Sequence, residues 1–326
     1  MGRLALVTGA TGFIGRHLVD RLTEHGWLVR ALVRPTSDVR HLEGLGVDLV
    51  RSDLRDRESI GRAVAGVDTV FHLAAVTAAR SEEQYEEANS AGTGAVVEAI
   101  RNAKPAPRRL VYLSSYAAAG PTTGNRPRRC DDVAAPLTAY GRTKLAGEVL
   151  AREAEVDGVQ VLVVRAPAVY GPGDRALLPY FRLVRWHLAP VPGGGERRLH
   201  LIFAPDLADA LRRGADAKTG TFAVADPVEH LWSDVVDRIA AALHRRPLRI
   251  RLSAPLVRAA AAATESFGRL AGRAVAFNRE KAEEMLAPAW TCDLSDSEAL
   301  LPPERATPLA VGIERTVRWY IRQGWL

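Results

Sequence analysis

A glycine-rich segment near the amino terminus constrains the fold more than any other feature of this sequence. An apolar run over residues 4–7 predicts a buried strand, and a helical apolar period over 13–25 follows it. The segment between them, residues 8–15, reads TGATGFIG, and a second strand is predicted over 27–33. In such a βαβ unit Gly9 permits a tight turn, Gly12 lets the backbone approach a pyrophosphate, and Gly15 allows the helix to pack closely on the strand. The segment therefore predicts a dinucleotide site, which also includes Thr11, Phe13 and Ile14.

The rest of the first half alternates apolar runs with helical patterns, which predicts an α/β fold with a doubly wound, Rossmann-type parallel sheet. Six strands are expected, over 4–7, 27–33, 48–51, 69–73, 109–113 and 160–165, with helices near 56–65, 83–103 and 139–156. After Pro167 the chain is rich in glycine and proline, and short strands are expected over 191–204 and 221–224. Helices are expected over 206–214, 231–243, 255–272 and 309–322. We predict a dinucleotide-binding domain over 1–170, to which residues 205–225 return, and a smaller α+β substrate region over 171–326.

Composition excludes several classes of protein. With 47% hydrophobic and 25% charged residues, the 326-residue chain is expected to be globular. The net charge is +6, but the basic residues stand mostly in ones and twos, and aromatic residues do not alternate with the two denser groups at 126–129 and 245–251, so no nucleic-acid partner is expected. Cys130 and Cys292 provide neither a disulfide framework nor a cysteine zinc site, and we expect no metal. No secretory signal or membrane-spanning segment is expected either, which favours a cytoplasmic protein.

A second motif carries the chemistry. Tyr140 and Lys144 stand four residues apart on a predicted helix, so their side chains lie on one face. A nearby cation and an oxidised nicotinamide both favour phenolate, which would bring the tyrosine toward the pKa range needed for general acid/base catalysis. Ser115 follows the strand over 109–113, at the sheet edge where such folds hold ligands. We interpret the preceding Ser114 as a helix cap or turn residue.

These motifs resemble the short-chain dehydrogenase/reductase superfamily, specifically its extended branch of NAD-dependent epimerase/dehydratase type. The resemblance spans nearly the whole chain and includes Asp53-Leu54, FHLAA at 71–75, NSAGT at 89–93 and RAPAVYGPG at 165–173. It implies that Tyr140 transfers the proton, that Ser115 hydrogen-bonds the reacting oxygen, and that Lys144 holds the nicotinamide ribose and lowers the pKa of the tyrosine. Asn89 is implied to support a helix distortion or a proton relay. The family often forms homodimers by pairing the helices over 83–103 and 139–156, and we expect a homodimer.

The same resemblance extends the cofactor site. It places Asp53 and Leu54 over the adenine, and Leu73, Ala74, Ala75, Pro167 and Val169 along the cofactor. NAD-specific folds carry a carboxylate at the end of the second strand, and this sequence has Arg34 there, with Ser37 nearby. A guanidinium can clamp a 2′-phosphate, so we expect NADP, with NAD as the alternative.

The substrate is less defined. Dehydratases of this branch carry an acidic pair where this chain has Tyr116-Ala117, so dehydration is not expected. The run VRPTSD at 33–38 is similar to dihydroflavonol reductases, 3β-hydroxysteroid dehydrogenases and hopanoid-associated sugar epimerase homologues. We therefore expect an NADP(H)-dependent oxidoreductase that interconverts a secondary alcohol and a ketone on a steroid-like, flavonoid-like, other hydrophobic or polyol small molecule. A nucleotide-sugar epimerase is the alternative, and a sensor that binds NADP without turnover is a third. The apolar helix over 255–272 could line a pocket, touch a membrane surface, or form core or a dimer face.

Overall fold

The computed structural model describes residues 2–124, 126–193, 195–272, 274–275 and 277–326. The strands are β1 Leu4–Thr8, β2 Leu28–Val33, β3 Asp48–Arg51, β4 Thr69–His72, β5 Arg109–Ser115, β6 Gln160–Ala166, β7 Ala168–Tyr170, β8 Leu188–Pro192, β9 Arg198–Leu199, β10 Leu201–Phe203, β11 Gly220–Ala223, β12 His230–Leu231, β13 Leu248–Leu252 and β14 Ala289–Trp290. The α-helices are α1 Phe13–Glu24, α2 Arg40–Glu43, α3 Arg57–Val64, α4 Glu82–Tyr85, α5 Gly92–Asn102, α6 Tyr116–Ala119, α7 Ala139–Arg152, α8 Leu178–Arg185, α9 Ala204–Arg213, α10 Trp232–Ala242, α11 Ala254–Leu270, α12 Arg279–Leu286 and α13 Leu309–Arg322. A π-helical segment spans Glu86–Ala91, and 3-10 helices span Glu153–Asp157 and Pro303–Arg305.

Seven of these strands form one parallel sheet in the order β11-β6-β5-β4-β1-β2-β3. Its register pairs Ala5 of β1 with Val29 of β2 and with Thr69 of β4. The predicted Rossmann-type α/β fold is confirmed. The count of six strands is wrong, because it left out the short strand expected over 221–224, which lies in the segment expected to return to the dinucleotide-binding domain. It pairs with β6 as the seventh strand at the edge of the sheet.

Helices cover both faces of the sheet, which is why its strands appear as continuous apolar runs in the sequence. On one face α1 and α9 bury Leu18 and Leu207 against Val7 and Val111. On the opposite face of the sheet, the apolar residues of α3 and α5 pack against the strands. The order of strands brings the carboxyl ends of β1, β4 and β5 together at one edge.

The helix expected over 83–103 is distorted around Asn89. The chain passes from α4 through the π-helical segment into α5. Asn89 lies in that segment and is fully buried. Its side chain bonds both the amide and the carbonyl of Val76, at 2.8 and 3.1 Å, so one residue pins the widened turn to the loop after β4.

The region after residue 170 packs around a second apolar cluster built from α8, α10 and α13. Phe181 meets Tyr320 edge to face, with ring centroids 5.2 Å apart, and Trp319 packs on Trp325 at 4.8 Å. Smaller sheets complete this region: β8 pairs with β13, β7 with β10, and β9 with β12 and β14. The domain limits at 170 and 171 stay a prediction.

Candidate active site

The glycine turn holds its shape because side chains have no room there. Gly9 has a φ of +74°, and a Cβ on it would lie 2.8 Å from the amide nitrogen of Ala74. A Cβ on Gly15 would collide with the carbonyl oxygen of Gly9, so α1 can approach β1 only without a side chain at this position. Gly9 therefore lets the first turn lie against the segment after β4, and Gly15 lets α1 lie against that turn.

The same turn leaves an anion-binding helix end open. Gly12 is exposed and forms the N-cap of α1, and within the described residues no side chain caps this helix and no acidic residue lies in its first turn. Thr11, Phe13 and Ile14 are partly exposed beside it. The first amides of a helix without a capping side chain carry partial positive charge, so these residues fit the pyrophosphate of a dinucleotide.

The remaining cofactor residues of the prediction follow the carboxyl ends of neighbouring strands. Arg34 is exposed directly after β2, and its carbonyl accepts a 2.9 Å bond from the Ser37 amide, which closes a turn. Asp53 and Leu54 follow β3, where Arg55 pairs with Asp53 at 2.8 Å and holds the pKa of that carboxyl below its usual value. Leu73, Ala74 and Ala75 follow β4, and Pro167 and Val169 follow β6. All of these residues therefore lie along one edge of the sheet.

Helix α7 presents the tyrosine and lysine. Thr138 caps the helix by accepting a 3.1 Å bond from the Gly141 amide. The Ala139 amide donates to both carboxylate oxygens of Glu280, each at 2.9 Å, so α12 is tied to the start of α7. The Tyr140 ring lies 6.2 Å from that of Tyr85, centroid to centroid. Glu280 and Tyr85 could not be predicted from the sequence, because nothing local links either residue to Tyr140.

The pKa values of the pair differ from the expectation. Burial raises the pKa of Tyr140 to about 12, and the charge of Glu284 adds to that shift, while a hydrogen bond with Ser115 opposes it. Burial lowers the pKa of Lys144 to about 7, against the charge of Glu148. The prediction that a neighbouring cation lowers the pKa of the tyrosine is therefore not met by the chain's own residues. At neutral pH the lysine is only partly protonated, and the tyrosine is a neutral phenol that can donate its proton.

Lys144 is held at the end of β5. Its Nζ donates to the Leu113 carbonyl at 2.7 Å and lies 4.2 Å from the centroid of the Tyr112 ring. Both contacts hold the ammonium group where a ligand at the sheet edge would meet it.

The two serines at the end of β5 have different roles from each other. Ser115 is the N-cap of α6, and its Oγ accepts a 3.1 Å bond from the Ala117 amide. Ser114 is buried and donates to Glu148 at 2.5 Å. The interpretation of Ser114 as a cap or turn residue is wrong, because its side chain points inward from a central strand.

A buried ion pair lies behind the site. Arg165 of β6 donates to Glu148 through Nε at 2.9 Å and through Nη2 at 2.7 Å, and both side chains are less than a tenth exposed. Glu148 stands one helical turn after Lys144. The sequence analysis missed this pair, although the four-residue spacing placed Glu148 on the face of α7 that carries the lysine.

Two further buried polar side chains connect the site to its surroundings. Asn89 donates to the Thr143 hydroxyl at 3.2 Å, which joins the π-helical segment to the turn of α7 between Tyr140 and Lys144. Its role in catalysis stays a prediction. His72 bonds Thr8 at 2.6 Å and Thr93 at 3.0 Å, and burial lowers its pKa to about 3. His72 is therefore a neutral crosslink between β1, β4 and α5.

The described part of the chain has no cluster of three or more side chains able to hold a metal ion. None of the helices that the structure describes is both long and apolar enough to cross a bilayer.

Several known proteins are similar to this chain. The model of the NAD dependent epimerase/dehydratase family matches residues 5–224. The ceramide reductase of Caulobacter vibrioides (strain NA1000 / CB15N) is 31% identical, over 98% of this chain and 95% of that protein. Sterol demethylase protein B of Methylococcus capsulatus is 38% identical over 52% of each chain. A solved structure of MoeE5 in complex with UDP-glucuronic acid and NAD is 26% identical and superposes with a TM-score of 0.75, over 99% of this chain and 100% of that one.

Proposed function

This chain belongs to the NAD dependent epimerase/dehydratase family, the extended branch of the short-chain dehydrogenases/reductases, and we propose that it is an NADP(H)-dependent oxidoreductase that interconverts a secondary alcohol and a ketone on a largely apolar small molecule. The observation that carries the proposal is the position of Ser115 and Tyr140 beside Lys144 at the sheet edge that also carries the open helix end of α1. A nicotinamide cofactor, when bound there, supplies or accepts the hydride.

The side chains then have distinct tasks. In the reductive direction Tyr140, a neutral phenol with a pKa of about 12, gives its proton to the carbonyl oxygen as that oxygen becomes an alcohol. Ser115 hydrogen-bonds the same oxygen and orients it. Lys144 binds the ribose hydroxyls of the cofactor, and Asn89 fixes the turn between Tyr140 and Lys144 through Thr143. The reverse reaction uses the same groups with the proton moving to the tyrosine.

Reduction is favoured over isomerisation and elimination. The reductase from Caulobacter vibrioides matches almost the whole of this chain, including the region after residue 170. Elimination lacks its acid and base, since Tyr116 is buried and donates its hydroxyl to the Arg128 carbonyl at 2.7 Å. Nucleotide-sugar epimerisation is the second candidate, because MoeE5 was solved with a UDP-sugar and NAD and resembles this fold along its whole length.

The preference for NADP rests on Arg34. Its guanidinium is exposed directly after β2 and makes no ion pair with any carboxylate among the described residues, so it is available for a 2′-phosphate. In Arg34→Glu the Kd for NADPH is expected to rise at least about tenfold, with little change for NADH, because one charge-assisted bidentate contact contributes about 1.5–3 kcal/mol. Arg238→Glu, at an exposed position of α10 that likewise makes no ion pair with any described carboxylate, is the matched control. Equal loss of NADPH affinity in both variants would reject the role of Arg34.

The substrate class is tested by thermal-shift titration of the NADP-loaded protein. UDP, GDP and dTDP are compared with sterols and aromatic ketones, since a ligand at a hundred times its Kd adds about 2.7 kcal/mol of stability. Stabilisation by the apolar ketones alone supports the oxidoreductase. Stabilisation by a nucleoside diphosphate supports the epimerase and overturns the proposal. NADP binding without turnover of any ketone or sugar would instead indicate a sensor.

We also propose a cytoplasmic homodimer. Cys130 and Cys292 are free thiols, as expected in a reducing compartment. The face formed by α5 and α7, with exposed Val149, would meet its copy across a two-fold axis. Sedimentation of the protein and of Val149→Glu tests this association, which the charged variant should weaken.

A further inference from the structure

Helix α11 carries an exposed apolar stripe. Leu256, Ala260, Ala263, Phe267 and Leu270 follow one another at spacings of four and three residues, so they lie along one side of the helix. All five are exposed, and Phe267 and Leu270 are 73% and 89% exposed. We call these five residues the α11 stripe.

The stripe is not the side that holds α11 to the protein. Val257 and Ala261 are buried and pack with Ala282 of α12, supported by Leu252 and Phe277. A helix that is apolar on its inner side and along an outer stripe exposes apolar surface that the fold of the chain itself does not bury. Leu248 and Ile250, on the strand that leads into α11, add exposed apolar side chains just before it.

The surroundings of the stripe are strongly basic. Residues 244–275 contain seven arginines and one glutamate, so this segment has the same net charge, +6, as the entire chain. The rest of the chain is therefore electrically balanced. Three arginines are paired: Arg258 with Glu283, Arg249 with Asp237 and Arg269 with Glu265. Arg245, Arg246 and Arg251, which precede α11, make no ion pair with any described carboxylate. Apolar and cationic groups thus share one short part of the fold.

This part of the fold also borders the candidate active site. The end of α11 is fixed to the loop after β4, where Arg80 donates to the Gly272 carbonyl at 3.3 Å. Helix α12, which packs under α11, contributes Glu280 to the start of α7 and the charge of Glu284 to the surroundings of Tyr140. Helix α12 therefore connects α11 to the helix that carries Tyr140.

We propose that the α11 stripe and the arginines that precede it dock this protein on the surface of an anionic lipid bilayer. Apolar side chains enter the boundary between headgroups and acyl chains, and the arginines attract the anionic headgroups. Helix α11 lies on the bilayer in this arrangement and does not cross it. The proposal does not depend on the reaction, because vesicle binding is measured without turnover.

The test is co-sedimentation of the full chain with vesicles. We expect at least about tenfold more protein bound to phosphatidylcholine vesicles containing about 30% phosphatidylglycerol than to pure phosphatidylcholine, and less binding at about 0.5 M salt. The double variant Phe267→Glu/Leu270→Glu should lose the binding at least tenfold, because it places two charges among headgroups of the same sign. The control is Val133→Glu/Val156→Glu, which changes the net charge equally at positions 90% and 82% exposed.

Each outcome decides the matter. Loss of binding in the α11 variant, with retention in the control, supports the proposal. Equal binding by the two variants, or no binding by the unaltered protein, overturns it. A third result would also overturn it: no vesicle binding by the unaltered protein, together with dissociation of an oligomer in the α11 variant, would mean that a second copy covers the stripe. Turnover of a dissolved ketone in the absence of vesicles tests the reaction separately.

Discussion

Replacing Glu148 with glutamine should destabilise the protein by about 3–5 kcal/mol, because it leaves a buried guanidinium without its counter-charge. Glu148 and Arg165 are almost completely buried and joined by two hydrogen bonds of 2.9 and 2.7 Å, and Ser114 adds a third to the carboxylate. The unfolding entropy of about 2.1 cal/mol/K per residue gives about 0.7 kcal/mol/K for 326 residues. The loss therefore corresponds to a fall in Tm of about 4–7 °C.

A double-mutant cycle separates this electrostatic cost from a simple loss of packing. Glu148→Gln, Arg165→Met and the double variant are unfolded by urea at pH 7.5. Because the double variant no longer contains the buried guanidinium, its destabilisation should be smaller than the sum of the single values by at least about 2 kcal/mol. Additive single effects, or a cost below about 1 kcal/mol for Glu148→Gln, would refute the reasoning.

Three further predictions concern glycine packing and pH. Gly15→Ala should destabilise the protein by about 1–3 kcal/mol and weaken cofactor binding, because its Cβ collides with the Gly9 carbonyl. Gly61→Ala on α3, with open space around it, should stabilise the protein by about 0.5–1 kcal/mol. Urea unfolding compares the two variants. The pKa of Lys144 is lowered from 10.5 to about 7, so between these pH values the unfolded chain holds a proton that the folded chain lacks. The free energy of unfolding should therefore rise with pH in this range, and Lys144→Met should remove that rise. Burial raises the pKa of Asp174 from 3.8 to about 6, so between these pH values the folded chain holds a proton that the unfolded chain lacks. Stability should therefore fall as pH rises from about 4 to 6. Thermal unfolding of Asp174→Asn should show no such fall.

The main sheet was predictable because its strands are buried on both faces and appear as continuous apolar runs bounded by turn residues. The edge strand Gly220–Ala223 lies in the segment expected to return to the dinucleotide-binding domain, but it was not counted in the sheet, because a short strand gives no local sign of which sheet it joins. The helix distortion at Asn89 was implied only by the family resemblance, because the periodicity of the π-helical segment resembles that of an ordinary helix. The contacts of Asn89 with Val76 show what holds the segment in place.

In the candidate site, too, some features could be predicted from the sequence and others could not. The glycine turn and the Tyr140–Lys144 pair depend on spacings within one or two turns of chain, which a sequence displays directly. By contrast, one of the groups that raises the pKa of Tyr140 comes from a distant element. Glu284 of α12 lies 144 residues after Tyr140, and its effect arises only when the two helices pack together. The carbonyl of Leu113 that holds Lys144 carries no side-chain signal at all.

The most direct test of the account is the rate at which Tyr140→Phe consumes NADPH with a ketone that the unaltered protein reduces. The variant keeps the ring that packs near Tyr85 and loses only the proton donor. We predict a fall in kcat of at least about a hundredfold, the usual scale of general acid catalysis, with the Kd for NADPH changed by less than about threefold. A variant that retained kcat within about threefold would contradict the assignment of Tyr140 as the proton donor.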